Sequence, residues 1–326
     1  MASQTLEFEL NGPAQAVFGH REANLRLLAD ALSLEIGSRG NRVVLEGEER
    51  GVALAAQTLK QLYALAKDGY NVHGPDVVRA AEMIRRNPGI RIHDVFTDQV
   101  LHHAGVQITP KTLTQKAYID AIRQDDLVFG LGPAGTGKSF LAVAMAVAAL
   151  KRKEVKRIIL TRPAVEAGEN LGFLPGDLAE KVSPYLRPLY DAMQSMMDGQ
   201  RFEQLVDKGI IEVAPLAFMR GRTLNDAFVI LDEAQNTTRS QMKMFLTRIG
   251  FGSKTVVTGD LSQTDLPRGV QSGLGQAVRI LEGLTSITMI HFDSEDVVRH
   301  PLVKRIIDAY DKDDAQMDPR AESTRR

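Results

Sequence analysis

The chain has 326 residues, 44% of them hydrophobic and 25% charged, with a formal net charge of −1. This length allows two domains and a sizeable core, and the near-neutral balance means that any nucleic-acid contact must rest on a local patch. The lack of cysteine excludes disulfides, cysteine-based zinc sites and thiol catalysis, and the longest apolar run, 140–150, falls well short of the ~20 residues of a membrane span.

The N-terminal stretch Met1–Glu7 has neither a basic region nor an apolar run of the signal-peptide kind, so a cytoplasmic protein with no membrane contact is expected. The seven histidines are scattered and form no H-x-x-x-H pair, which argues against a histidine metal site.

In chain order, Leu6–Leu10 alternates as a strand does, and Asn11-Gly12-Pro13 ends it. A short helix follows over Ala14–Phe18, then the loop Gly19-His20-Arg21-Glu22, then a helix over Ala23–Leu32 with Leu25, Leu28 and Leu32 on one face. Two strands, Leu34–Ile36 and Val43–Leu45, flank a turn at 37–41, and a helix runs from Val52 to Lys67. The order β-α-α-β-β-α with a glycine loop between the first two helices resembles a KH domain, a small α+β fold that binds single-stranded RNA. The resemblance implies a G-x-x-G clamp, but here Glu22 replaces the second glycine and places a carboxylate where phosphate would lie. Residues 1–70 carry seven basic and nine acidic side chains, a poor charge balance for an RNA platform, so a docking or oligomerisation module stands beside RNA binding.

Residues 71–107 read as a connector containing one helix, Asp76–Arg86, which Asn87-Pro88-Gly89 stops. A second domain, 108–312, alternates helices with apolar strands at Leu127–Leu131, Arg157–Thr161, Ile210–Val213, Ala227–Leu231, Thr255–Thr258 and Ile287–His291. That pattern predicts an α/β fold with a mostly parallel sheet covered by helices on both faces. The charged tail 313–326 is expected to be disordered.

The chemistry gathers beyond the carboxyl ends of these strands. Gly132-Pro133-Ala134-Gly135-Thr136-Gly137-Lys138-Ser139 fits G-x-x-x-x-G-K-[ST], and it lies between a strand and a breaker-free helix. The glycines allow the backbone N–H groups to cradle phosphates at the helix N-terminus, Lys138 reaches the β- and γ-phosphates of ATP, and the Ser139 hydroxyl holds Mg²⁺. The strand Phe228–Leu231 ends in Asp232-Glu233: the first carboxylate suits the Mg²⁺ shell, and the second can take a proton from an attacking water. Past the strand Thr255–Thr258, Gly259-Asp260 and Gln263 can report on the γ-phosphate, with a plain strand–turn as the rival reading. Thr161-Arg162 can meet nucleotide or a nucleic-acid backbone, or Arg162 can be an ordinary surface residue. Arg220, Arg222 and Lys151-Arg152-Lys153 offer a nucleic-acid track, although a solvated helix end also accounts for 151–153.

These motifs in this order resemble the nucleotide-binding core of superfamily 1 helicases, and more closely the PhoH family of P-loop ATPases. The residues that carry the resemblance are Pro110-Lys111-Thr112 with Gln115 and Tyr118, Gly132–Ser139, Thr161–Ala164, Gly172–Gly176, Phe218–Leu224, Asp232–Gln235, Thr258–Asp260 and Asp296–Arg299. The family resemblance implies ATP hydrolysis coupled to RNA, an unwinding activity, a tie to an rRNA-maturation endoribonuclease, and Gln115 reading the adenine edge. It also implies a missing part. A superfamily 1 helicase has two cores, and its second supplies arginines to the ATP held by the first; this chain holds one. A ring-like homo-oligomer, a hexamer by the resemblance, is therefore expected, with Arg299 of a neighbour completing each site and Arg220 and Arg222 as the next choices. A P-loop kinase and an ATP-dependent switch without unwinding are the alternatives; a glutamate directly after Asp232 favours water over a kinase substrate as nucleophile.

Overall fold

The structure, a computed structural model, describes residues 1–163, 178–267, 269–298 and 309, and for 178–185 the backbone alone. The contacts divide the chain into two compact units, Met1–Ile119 and Asp120–Arg326.

The first unit opens with β1 (Ala2–Glu7), α1 (Asn11–Phe18), a 3₁₀ turn at His20–Glu22, α2 (Ala23–Leu32), β2 (Glu35–Arg39), β3 (Arg42–Gly47) and α3 (Glu49–Lys67). The three strands form an antiparallel sheet in the order β1-β3-β2. Leu6, Val43 and Leu45 turn inward to meet Val17, Leu25, Leu28, Leu59 and Leu62 in one core. The expected KH-like arrangement is present.

Several boundaries differ from the sequence reading. β2 runs on to Arg39 through the stretch expected as a turn, because its pairing with β3 continues to Arg39↔Arg42, and α3 starts at Glu49 rather than Val52. The first strand lies at 2–7 rather than 6–10, because the pairing runs from Ala2↔Gly47 to Glu7↔Arg42. Beyond it the chain leaves the sheet: Leu10 N–H donates to the Tyr63 hydroxyl, and the Asn41 side chain donates to the Phe8 carbonyl. The first helix begins at Asn11 rather than Ala14, because Pro13 falls in its first turn, where a missing N–H costs nothing.

The stretch expected as a connector contains α4 (Gly74–Arg86) and α5 (Ile92–Phe96), whose Val77, Ala80, Ile84, Ile92, Val95 and Phe96 enter the same core as α3. A small hairpin follows, β4 (Leu101–His103) with β5 (Val106–Ile108). Then α6 (Leu113–Gln124) runs through the division between the units.

The second unit holds a six-stranded sheet made of β6 (Leu127–Leu131), β7 (Arg157–Arg162), β8 (Ile211–Pro215), β9 (Ala227–Leu231), β10 (Lys254–Gly259) and β11 (Ile287–His291). Its order is β11-β6-β10-β9-β7-β8, and every pairing is parallel. β6 and β9 are buried at all five positions, as befits central strands covered on both faces. On one face α10 (Arg239–Leu246) and α11 (Gly273–Leu281) place Met242, Phe245, Leu274 and Ala277 against Phe129, Leu131, Val229, Leu231 and Val257. Alternate residues of the strands point to the other face. There α7 (Lys138–Lys151), buried from Leu141 to Ala149, meets β7, β9 and β10, beside α8 (Leu178–Gln194). A further helix, α9 (Gly199–Asp207), rests on β8.

This topology decides where the chemistry can be. The strand order sets β6, β10, β9 and β7 side by side, and each carries one of the polar motifs at its carboxyl end.

Candidate active site

The loop 132–137 connects β6 to α7 with Gly132, Gly135 and Gly137 at φ 139°, 85° and 84°. Gly132 is required by space as well as by φ: a Cβ there would lie 2.3 Å from the carbonyl oxygen of Phe292. The loop is held from two sides, since Gly132 N–H donates to Gly259 O (3.0 Å) and Val298 N–H donates to Gly135 O (3.1 Å). These constraints leave a curled backbone at the amino end of α7, where the helix dipole favours an anion.

Lys138 is only 8% exposed. Its ammonium donates to Gly132 O and Pro133 O, both at 2.7 Å, and to Thr136 Oγ1 at 3.2 Å. Burial lowers its pKa from the ordinary lysine value, against the opposing pull of the Asp260, Asp232 and Glu233 carboxylates. A cation is thus folded back onto its own loop, beside three acidic groups.

Ser139 Oγ donates to Asp232 Oδ1 at 2.6 Å, and Thr258 Oγ1 donates to the same oxygen at 2.6 Å. One carboxylate oxygen thereby joins the first turn of α7, the end of β9 and the end of β10. Glu233 has left-handed backbone angles, φ 51° and ψ 41°, a conformation that costs a non-glycine residue of the order of 1 kcal/mol or more. Its Oε1 is 3.3 Å from Arg162 Nη2, and its Oε2 accepts from Gln235 Nε2. Gln235 Oε1 in turn accepts the Asp260 N–H at 3.1 Å. Asp260 binds Ser262 through Oδ1, while its buried Oδ2 has no hydrogen-bond partner among the described residues.

A cleft of about 290 Å³ opens among Lys138, Ser139, Asp232, Glu233, Asp260 and Gln263. The arrangement fits Mg²⁺ and a nucleoside triphosphate: a glycine loop curled at a helix N-terminus, a lysine ammonium beside it, and a hydroxyl and a carboxylate oxygen in contact. That pair would offer two oxygen ligands to a small hard cation such as Mg²⁺.

Sequence reading brought Gly132–Ser139, Asp232, Glu233 and Gln263 to this site, and the fold does place them together. Gln115 belongs to the first unit, where its buried Oε1 accepts the Lys111 N–H at 2.7 Å. Arg299, Ala164 and Gly172–Gly176 lie outside the described residues. Arg222 stands outside this cleft: its guanidinium forms a two-pronged pair with Glu212, at 2.6 and 2.7 Å. Arg152 likewise pairs with Glu154. Thr258 and Gln235 are the residues whose roles sequence reasoning missed. Both stand inside recognised motifs, but only the neighbouring strands reveal what their side chains touch.

A family model described as PhoH-like protein matches residues 107–311. A PhoH-like protein of Bacillus subtilis (strain 168) is 52% identical over 307 residues, covering 93% of this chain and 96% of that one. A PhoH-like protein of Mycobacterium tuberculosis (strain ATCC 25618 / H37Rv) is 56% identical over 295 residues, covering 90% and 84%. Among solved structures, the Pif1 helicase from Candida albicans overlies 60% of this chain and 42% of that one, with 15% identity and a TM-score of 0.33, a likeness too slight to carry an argument. No described helix is long and apolar enough to cross a membrane. The family model covers more than half of the chain and the relatives nearly its whole length, and the chain, with its P-loop motif at Gly132–Ser139, belongs to the PhoH-like protein family.

Proposed function

We propose that the chain hydrolyses Mg-ATP to ADP and phosphate and couples this turnover to RNA binding or remodelling, with a helicase-like role in RNA or rRNA metabolism. The single observation that carries the hydrolytic part is the junction of Ser139, Asp232 and Thr258 at one carboxylate oxygen, with Glu233 next in the chain. Support for RNA comes from the KH-like topology of the first unit.

In this reading the loop amides and Lys138 hold the β- and γ-phosphates, and Ser139 and Asp232 hold Mg²⁺. The bound ion neutralises charge that develops on the phosphate oxygens. Glu233 orients a water and accepts its proton as that water attacks the γ-phosphorus. Lys138 must first exchange its loop carbonyls for phosphate, whose negative charge offsets the cost of burying the ammonium. Asp260 and Gln263 face the γ-phosphate end. Gln115 contacts the adenine. A neighbouring copy in a ring, a hexamer on this reading, supplies an arginine, with Arg299 the first choice. The setting is the cytoplasm, with an rRNA-maturation endoribonuclease as a partner.

The glutamate beside Asp232 disfavours the kinase reading, because it serves a water nucleophile. The test is phosphate release from ATP, with and without single-stranded RNA and with Mg²⁺ chelated, run beside a search for phosphate transfer to protein or metabolites. Mg²⁺-dependent release that single-stranded RNA stimulates supports the proposal. Transfer without release would overturn it.

A further inference from the structure

One turn at the carboxyl edge of the sheet has no part in the cleft. β8 ends at Pro215, paired in register with Arg162 of β7, and the chain enters a 3₁₀ turn, Leu216–Met219. Leu216 and Met219 are buried beneath it, whereas Phe218 is 47% exposed. An isolated exposed phenylalanine is ordinary, but this one sits in a turn tied down by hydrogen bonds. Arg222, fixed by both oxygens of Glu212, donates to Phe218 O (3.4 Å), and its own carbonyl accepts from Arg248 Nη1 (3.3 Å). Arg220 N–H donates to Ala217 O (3.3 Å), and Gly221 at φ 76° turns the chain back.

The result is a small platform: an aromatic side chain and the exposed arginine Arg220 two residues apart, on a hydrogen-bonded turn. Single strands are recognised by that combination, with a base stacked on an aromatic ring and a cation on the backbone phosphate. A duplex hides its base faces and cannot use the ring. The platform also lies at the end of the strand next to β7, whose last residue, Arg162, pairs with Glu233.

We propose that the turn 216–221 is a docking point for single-stranded RNA, with Phe218 stacking on a base and Arg220 binding the adjoining phosphate. This deepens the RNA part of the proposed function and rests on it.

The test is an anisotropy titration of the full chain with a fluorescein-labelled 12-nucleotide oligouridylate at several salt concentrations. Thermal melting first establishes that each variant is folded. Phe218→Leu should weaken binding roughly tenfold with an unchanged salt dependence, and Phe218→Tyr should retain wild-type affinity. Arg220→Gln should lower the slope of log affinity against log salt by about 0.7, the value expected for one phosphate contact on a single strand. An RNA duplex of the same length should compete poorly. If the wild type binds the oligonucleotide while folded Phe218→Leu binds equally well, or the duplex competes fully, the docking point is overturned and RNA coupling stands. If the wild type binds no single strand, both fall together.

Discussion

Arg162, at the end of β7, and Glu233, just past the end of β9, face each other as an ion pair with Nη2 3.3 Å from Oε1. The guanidinium occupies an oxygen that must be open to a water if Glu233 acts as the base. Both side chains are partly solvated, at 22% and 37% exposure, so the pair is worth at most about 1 kcal/mol. Arg162→Ala should therefore raise basal kcat for ATP by no more than roughly fivefold and leave KM nearly unchanged. A matching fall in kcat and kcat/KM would show instead that Arg162 acts on the transition state itself.

Glu233→Gln separates binding from chemistry. The amide keeps the shape and can still bond to Gln235, but it cannot accept a proton. Turnover should fall by about 10²–10⁴, with ATP affinity preserved within a few-fold in equilibrium dialysis. An equal loss of affinity would make Glu233 a ligand or a structural residue.

Lys138→Ala should abolish hydrolysis and weaken nucleotide binding, because the charge over the β- and γ-phosphates disappears. Near-normal turnover would contradict the P-loop reading.

Lys138 also predicts a pH dependence in the nucleotide-free protein. Its folded pKa is lowered by burial, so the unfolded chain binds this proton more tightly. The penalty is complete below the folded pKa and is relieved as pH rises from there towards the unfolded value, so this residue's contribution to stability grows in that window. The melting temperature of the wild type minus that of Lys138→Met should therefore become more positive as the pH rises towards 10.5, the ordinary lysine value. Using the difference cancels the other titrations. A constant or shrinking difference would show that desolvation does not govern this lysine.

A shared site makes a different demand. Arg299→Ala and Glu233→Gln proteins, each inactive alone, should recover activity when mixed, because some sites then pair an intact Glu233 with a neighbour's intact Arg299. Verified mixed oligomers without recovery would exclude that arginine. Turnover per subunit that stays constant on dilution to the monomer would exclude sharing altogether.

How much was legible in the sequence follows from the range of each interaction. β6 and β9 fall at their predicted residues because a run buried on both faces must be apolar throughout and is bounded by turn residues; β11, half-buried at the edge of the sheet, falls at its predicted residues too. The P-loop was legible because its glycines answer local demands of φ, and Asp232-Glu233 because two carboxylates end an apolar strand. β1 was misplaced by several residues because its register depends on β3, about forty positions away. The packing of α4 and α5 beside α3 was likewise invisible, since amphipathic spacing marks an apolar face without naming its partner.

Only the tertiary structure could decide which polar residues meet. The order β6-β10-β9-β7 brings Ser139, Thr258, Asp232 and Arg162 to one edge from positions spread over 120 residues. Arg220 and Arg222 look alike in sequence, yet Glu212 on the neighbouring strand fixes one as a clamp while the other stays at the surface. A sequence motif names the groups available for chemistry. Hydrogen bonds and ion pairs act over about 3 Å, so their partners are decided by how the strands are ordered and how the backbone turns at their ends.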